Sequence, residues 1–193
     1  MIVFVRHGET ELNRRRVLQG RSDTPLNDRG RQQAAEAGET LRRLGLRFDR
    51  VYTSPLCRAA ETARIIAPEV EPIADARLLE MDYGPYEGGS LTPPAPELAA
   101  FFRDFAHTPA PAGMESLASV TARLGDFLDS LDAGEGENIL ISTHAIAMKG
   151  ALEYLTPGSD GAWWSRYLKN CALFVCRPVP GGYTVPEELT GVE

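Results

Sequence analysis

Cysteine is scarce in this sequence, positive charge is in the minority, and long apolar runs are missing. Cysteines number 3 among 193 residues (Cys57, Cys171 and Cys176). Odd in number and irregular in spacing, they exclude a disulfide framework and a paired C-x-x-C zinc pattern, so reduced thiols are expected. No apolar stretch approaches the ~18 residues that cross a bilayer, so membrane insertion is not expected. Lys+Arg total 20 against 27 for Asp+Glu, a net charge of -7. Duplex binding needs clustered positive charge, which this balance argues against, and no nucleic-acid partner is expected. There is no G-x-S-x-G nucleophile elbow and no G-x-x-x-x-G-K-[ST] phosphate loop. Cys57 precedes Arg58, but a cysteine-dependent phosphatase loop would need its arginine where Ala63 stands. Repeats, low-complexity tracts and domain linkers are also lacking. The chain opens directly on a strand-like run, without a basic region, a long apolar segment and a cleavage site, and the expected location is cytoplasmic.

What remains is a sequence with 43% hydrophobic and 24% charged residues, the balance of a soluble globular chain. Its length suits one domain over residues 1–193, able to close a core without metals or disulfides. Apolar pattern and punctuation place a strand at Met1 to Val5, an arginine-rich loop through Asp23, and a helix from Asp28 to Leu44 capped by Asn27 and ended by Gly45. A second strand is expected over Asp49 to Thr53, followed by Ser54-Pro55 as N-cap and first helical residue of a helix to Pro68. A short strand at Glu71 to Ala74 and an irregular Gly/Pro-rich stretch from Gly84 to Pro96 come next, before helices at Glu97 to Phe105 and Glu115 to Leu131. Asn138 to Thr143 reads as a strong strand and Ala145 to Leu155 as its helix. Cys171 to Arg177 with Tyr183 to Val185 reads as a hairpin or two edge strands. Alternating strands and helices predict an α/β fold of three layers, α/β/α, with an open, mostly parallel sheet.

In such sheets ligands gather beyond the carboxyl ends of the strands. The first strand ends in Arg6-His7-Gly8, the second leads toward Arg58, and the third ends in Ser142-Thr143-His144. Two imidazoles and two guanidinium groups are therefore expected on one edge of the sheet. On an acidic protein this reads as a pocket for an anion such as phosphate, with helix N-termini adding donors and Gly8 allowing close main-chain approach. Each residue alone has an ordinary reading. An Arg-His pair can be a surface feature, His144 a satisfied core histidine, Arg58 a snorkelling side chain, and His107 belongs to a proline-rich loop. The joint reading gains from the agreement of three elements in position and sign. A zinc site of His7, His144 and Asp82 is disfavoured, because two arginines would repel the cation.

These stretches resemble the histidine phosphatase superfamily, in its phosphoglycerate mutase-like branch. "VRHGETELN" at residues 5 to 13 resembles the signature loop and "TPLNDRGRQQA" at 24 to 34 the first helix. "VYTSPLCRAAETA" at 51 to 63, "LLEMDYGPYEG" at 78 to 88, "PAGMES" at 111 to 116 and "ILISTHAIAMKG" at 139 to 150 follow in family order. The resemblance implies a phosphoglycerate mutase-like fold, with His7 as the nucleophile forming a phosphohistidine. It implies Arg6, Asn13, Arg58 and His144 as phosphate ligands and Glu80 as the general acid and base. Gln19, Gly20, Tyr83 and the backbone N–H of Ala145 are implied as pocket-lining groups. A neutral imidazole is a competent nucleophile near neutral pH, and an acid role for Glu80 calls for burial and a neighbouring negative charge; Asp82 is its rival. No cofactor and no metal are implied.

Two departures matter. His144 is followed by Ala145-Ile146-Ala147 where the family often has glycines, and the stretch Gly88 to Gly113 is short beside the mutases' basic insertions. With less to exclude water, the expected outcome is hydrolysis of a small phosphorylated metabolite. A phosphoglycerate mutase and a non-catalytic phosphate sensor are the alternatives, and the oligomeric state stays open. Trp163-Trp164 is expected in the core.

Overall fold

The computed structural model describes residues 1–134 and 136–189. In chain order the elements are β1 (Ile2–Arg6), α1 (Glu11–Arg14), α2 (Asp28–Arg43), β2 (Arg50–Thr53), α3 (Cys57–Ile66), β3 (Ile73–Ala74), α4 (Pro96–Arg103), α5 (Leu117–Asp129), β4 (Ile139–Thr143), α6 (Ala145–Leu155), β5 (Leu173–Cys176), β6 (Pro178–Val179), β7 (Gly182–Tyr183) and β8 (Glu187–Glu188). Six strands form one sheet in the order β3-β2-β4-β1-β5-β8. The pairs from β3 to β1 are parallel; β5 joins β1 antiparallel and β8 joins β5 antiparallel. The sheet is mixed and mostly parallel, as expected for an α/β chain.

Pleating divides the core. In β1, Ile2 and Phe4 face one side and Val3 and Val5 the other, since successive side chains alternate across a strand. Ile139, Ile141, Phe174 and Cys176 join Ile2 and Phe4 under α5 and α6, with Val120, Leu124 and Leu152. Leu140, Leu173 and Val175 join Val3 and Val5 under α2 and α3, with Leu41, Ala63 and Ile66. β1 and β4 are thus buried on both faces, which is why they read as continuous apolar runs. Phe4 is wholly buried, and truncating such a side chain to alanine costs about 3–5 kcal/mol. Trp163 and Trp164 are buried too, Trp163 edge-on to Phe174 with ring centroids 5.7 Å apart.

Several local expectations are corrected. Thr10 to Asn13 of the arginine-rich loop close a capping box that starts α1. α3 begins at Cys57 with Leu56 as N-cap, so Ser54-Pro55 do not open it. Ser54 instead turns the chain, its Oγ accepting the Leu56 N–H at 3.3 Å, and the Cys57 N–H donates to Asp23 Oδ1 at 2.7 Å. A remote carboxylate thereby caps the helix, a pairing that local sequence does not display. β5 is an interior strand, and Tyr183 pairs with Pro178 in a separate two-stranded hairpin rather than with β5. β8 forms the edge beside β5. Among the described residues no helix is long and apolar enough to cross a membrane.

Candidate active site

Register brings the two imidazoles together. Arg6 of β1 lies opposite Thr143 of β4, and Thr53 of β2 opposite Ser142. The His7 N–H extends the ladder by donating to the Thr143 carbonyl at 2.9 Å. His7 and His144 therefore leave neighbouring strands at the same level, their ring centroids 5.2 Å apart and inclined at 61°. β1 leads to α2 on one face of the sheet while β4 leads to α6 on the other. The rings sit in the resulting crevice, where ligands of open α/β sheets collect.

His7 is held in one tautomer. Its Nδ1 lies 2.6 Å from the Gly8 carbonyl oxygen, which can only accept, so Nδ1 carries the proton. On the other side Arg58 Nε donates to Nε2 at 3.3 Å. The Nε2 lone pair therefore faces the guanidinium. Burial pushes the His7 pKa well below the ordinary 6.5, and the charges of Arg58 and Arg6 push it further down. The ring is neutral at neutral pH.

Arg58 is wholly buried on α3, one residue into the helix. Nη1 donates to the Ser22 carbonyl at 2.7 Å and Nη2 to the Gly20 carbonyl at 2.8 Å. The Gln19 amide, in the orientation that satisfies all its neighbours, accepts from Arg58 Nε at 3.0 Å and Nη1 at 2.8 Å and donates to Thr10 Oγ1 at 2.7 Å. Burial lowers the Arg58 pKa, and the Glu80 charge is the largest opposing influence. Thr62 Oγ1, one turn farther along α3, donates to the Arg58 carbonyl at 2.7 Å and accepts the Gly8 N–H at 3.1 Å.

Several buried polar atoms beside these groups lack partners. Both ring nitrogens of His144 are buried without a hydrogen-bond partner among the described residues, as is Arg6 Nε. Arg6 Nη1 is anchored on the Leu168 carbonyl. Unpartnered buried polar groups cost about 1–3 kcal/mol each, a cost an anion carrying several acceptor oxygens would remove. Burial, then the Arg58 charge, keeps His144 neutral as well, so in the free protein it offers an N–H rather than a positive charge. Asn13 Oδ1 accepts the Thr10 N–H at 3.2 Å inside the capping box, which leaves its amide nitrogen for another acceptor.

Glu80 is buried against the first turn of α6. Its carboxylate accepts the N–H groups of Ile146 at 3.2 Å, Ala147 at 2.9 Å and Met81 at 2.9 Å. The segment before it is pinned by Thr143 Oγ1 on the Leu78 carbonyl and by Arg123 Nη1 on the Arg77 and Leu79 carbonyls. The helix N-termini are thus occupied by carboxylates, Asp23 at α3 and Glu80 at α6. Ala145, the first residue of α6, keeps its N–H without a partner among the described residues. Asp82 is exposed and its Oδ1 accepts the Gly84 N–H at 2.8 Å in a local turn, and among the described residues no three His, Cys, Asp or Glu side chains cluster as a metal site.

Other expectations change in role. The Gly8 N–H is spent on Thr62. A Cβ at Gly8 would lie 2.4 Å from the Gly30 carbonyl oxygen, so the close approach that glycine permits is to α2 and not to an anion. Gln19 and Gly20 stand behind Arg58 and hold it instead of lining open space. Tyr83 is buried edge-on to Phe102, with ring centroids 6.5 Å apart. Arg6 and Asn13 line a vestibule of about 540 Å³ that is also walled by Glu9, Arg14, Arg16, Leu91, Tyr167 and Asn170. Asn170 additionally donates to the His7 carbonyl at 3.0 Å. Tyr167 and Asn170 carry no motif, and only the return of the chain along β5 brings them here. The thiols take no part: burial, then Asp23, pushes Cys57 up to about 11, and burial pushes Cys171 and Cys176 up to about 12.

Fold and site define an α/β protein with a cluster of two buried imidazoles and two guanidinium groups at the carboxyl edge of its sheet. Residues 2–187 match the family model of the histidine phosphatase superfamily (branch 1), and the chain belongs to that superfamily. Over 180 residues it is 38% identical to a probable phosphoglycerate mutase GpmB of Klebsiella pneumoniae, covering 89% of this chain and 82% of the relative. Over 168 residues it is 36% identical to phosphoglycerate mutase-like protein 4 of Arabidopsis thaliana, covering 82% and 72%. Among solved structures it is similar to a phosphoserine phosphatase of Entamoeba histolytica in complex with 3-phosphoglyceric acid, with TM-score 0.83, 25% identity, and 98% and 96% of the two chains covered. It is likewise similar to a mycobacterial glucosyl-3-phosphoglycerate phosphatase, with TM-score 0.80, 26% identity, and 95% and 96% covered.

Proposed function

We propose that this protein is a metal-independent phosphatase that hydrolyses small phosphorylated metabolites through a phosphohistidine at His7. The observation that carries the reading is the paired hydrogen bonding of His7, Nδ1–H on the Gly8 carbonyl and Nε2 against Arg58, which presents a neutral lone pair beside fixed positive charge. In the first step Nε2 attacks phosphorus and the ester oxygen leaves, taking a proton from Glu80. In the second, Glu80 accepts a proton from water as its oxygen attacks phosphorus and the P–N bond breaks, returning free His7 and inorganic phosphate. Arg6, Arg58, His144 and the Ala145 N–H are the groups for the equatorial oxygens, and Asn13 is a further donor. The vestibule beyond Arg6 leaves room for the departing alcohol and a path for water.

A second reading, a phosphoglycerate mutase, draws on the names of the curated relatives. One experiment addresses both. His7→Ala protein is expected to fold and to lose turnover of an aryl phosphate, while the wild type forms an acid-labile, base-stable phosphoenzyme and releases one inorganic phosphate per alcohol. Unchanged turnover in the variant overturns the reading. Interconversion of phosphoglycerates with phosphate release only as a side reaction establishes the mutase.

A further inference from the structure

Glu87 is half-buried and forms no ion pair among the described residues. Its charge is spent on backbone. Oε1 accepts the Gly20 N–H at 2.9 Å, the Ser22 N–H at 3.0 Å and the Ser22 hydroxyl at 2.6 Å, and Oε2 accepts the Gly20 N–H at 3.1 Å. The flanking backbone fixes the carboxylate in place: the Gly88 N–H donates to the Leu18 carbonyl at 3.0 Å and the Leu18 N–H to the Gly89 carbonyl at 2.8 Å. Gly20 approaches so closely that a Cβ there would stand 2.5 Å from the Met81 carbonyl oxygen and 2.8 Å from Glu87 Oε2.

The two residues that Glu87 grips by their N–H groups are the two that hold Arg58 by their carbonyls. Gly20 and Ser22 receive Nη2 and Nη1 of Arg58, and Arg58 Nε receives the lone pair of His7. The loop has other ties, Arg21 Nη2 donating to Glu115 Oε2 at 3.5 Å and Asp23 Oδ1 accepting the Cys57 N–H at 2.7 Å, but neither engages the Gly20 or Ser22 N–H, and a buried guanidinium needs its acceptors fixed to within a few tenths of an ångström. We propose that Glu87 is a positioning residue for phosphoryl transfer: it fixes the Gly20–Ser22 loop and, through it, the Arg58 guanidinium against His7. The carboxylate touches neither Arg58 nor His7. Its charge is nonetheless felt at Arg58, where it favours the protonated guanidinium along with Glu80, Cys57 and Asp23. This deepens the proposed function and rests on Arg58 and His7 being the pair that handles the phosphoryl group.

The test reads the relay without turnover. In isotope-labelled protein the His7 ring is titrated by NMR in wild type, Glu87→Ala and Glu87→Gln, alongside kcat and KM for an aryl phosphate and the affinity for inorganic phosphate. Loss of the grip should let Arg58 drift, so Glu87→Ala is expected to protonate His7 at higher pH, bind phosphate about tenfold more weakly and lose about tenfold in kcat. Glu87→Gln keeps an acceptor oxygen for the Oε1 contacts and should restore most of each. A Glu87→Ala protein that melts earlier but shows the wild-type His7 titration and phosphate affinity has only a structural contact there, and the proposal falls. Where Glu87→Ala does not fold, Ser22→Ala removes the hydroxyl contact alone: a titration moved part of the way upholds the relay, and one that stays overturns it. A titration that moves while no variant, nor wild type, turns over any phosphomonoester faults the proposed function and leaves the relay standing.

Discussion

Arg58 Nε donates to His7 Nε2 at 3.3 Å, from a helix to a strand end 51 positions away in the chain. The contact does two jobs, opposing protonation of that ring nitrogen and placing a cation beside the ring. Burial is the larger cause of the depressed His7 pKa and Arg58 the next. Arg58→Met is therefore expected to raise the pH at which His7 protonates, read by NMR of the ring, and to weaken phosphate binding by about 1.5–3 kcal/mol, the worth of a charged hydrogen bond. An unmoved titration would show that desolvation alone sets the ring's state.

Acid stability follows from the two buried imidazoles. His7 and His144 both have folded pKa values pushed well below 6.5, by burial first and Arg58 second. The unfolded chain takes up a proton at each site near the ordinary value and the folded chain does not. Their contribution to stability is therefore complete above about pH 6.5 and is lost as pH falls below it, at up to about 2.7 kcal/mol per pH unit for two protons. Urea midpoints measured at about pH 7.5 and about pH 5.5 should fall steeply for wild type and stay nearly level for a His7→Gln, His144→Gln double variant.

Glu80→Gln separates chemistry from binding. Glutamine keeps one oxygen for the α6 amides but cannot exchange a proton with the ester oxygen or water. kcat for an alkyl phosphate is expected to fall by about 10²–10⁴, while phosphate affinity changes little. Equal losses in both would place Glu80 among the binding groups.

Gly8→Ala tests a packing claim. The new Cβ would meet the Gly30 carbonyl oxygen at 2.4 Å, and Gly30 has no slack, since a Cβ there would lie 2.1 Å from the Glu9 carbonyl oxygen. Both neighbours are backbone. A loss of about 1–3 kcal/mol or more in denaturant unfolding is expected. A neutral substitution would mean that α2 can slide away from the signature loop.

Much of the frame was legible because it rests on local rules. Asn27 caps α2, with its Oδ1 accepting the Gly30 N–H at 2.8 Å. Gly45 follows with φ of 75°, a conformation that favours glycine. The two-sided apolar runs of β1 and β4 announced a buried parallel pair, and the helix after β4 begins at Ala145 as expected. Arg6, His7, Arg58 and His144 could be nominated because strand ends are where such sheets place ligands. The short α1 escaped notice because its polar residues bury no face, and its capping box is its main signature. The start of α3 was misplaced because Ser54-Pro55 fits the local pattern of a helix opening, whereas Asp23, far off in the chain, supplies the cap.

Composition and periodicity by themselves determined an α/β chain and the residue types that could meet an anion, because burial patterns and turn chemistry act over a few residues. Which nitrogen of His7 carries the proton, which amides remain unspent, and that Gln19 and Gly20 hold Arg58 while Glu87 holds Gly20 and Ser22 were decided only by the tertiary structure. Hydrogen bonds depend on distances of tenths of an ångström between groups that the chain brings together from dozens of residues apart, and no local pattern encodes them.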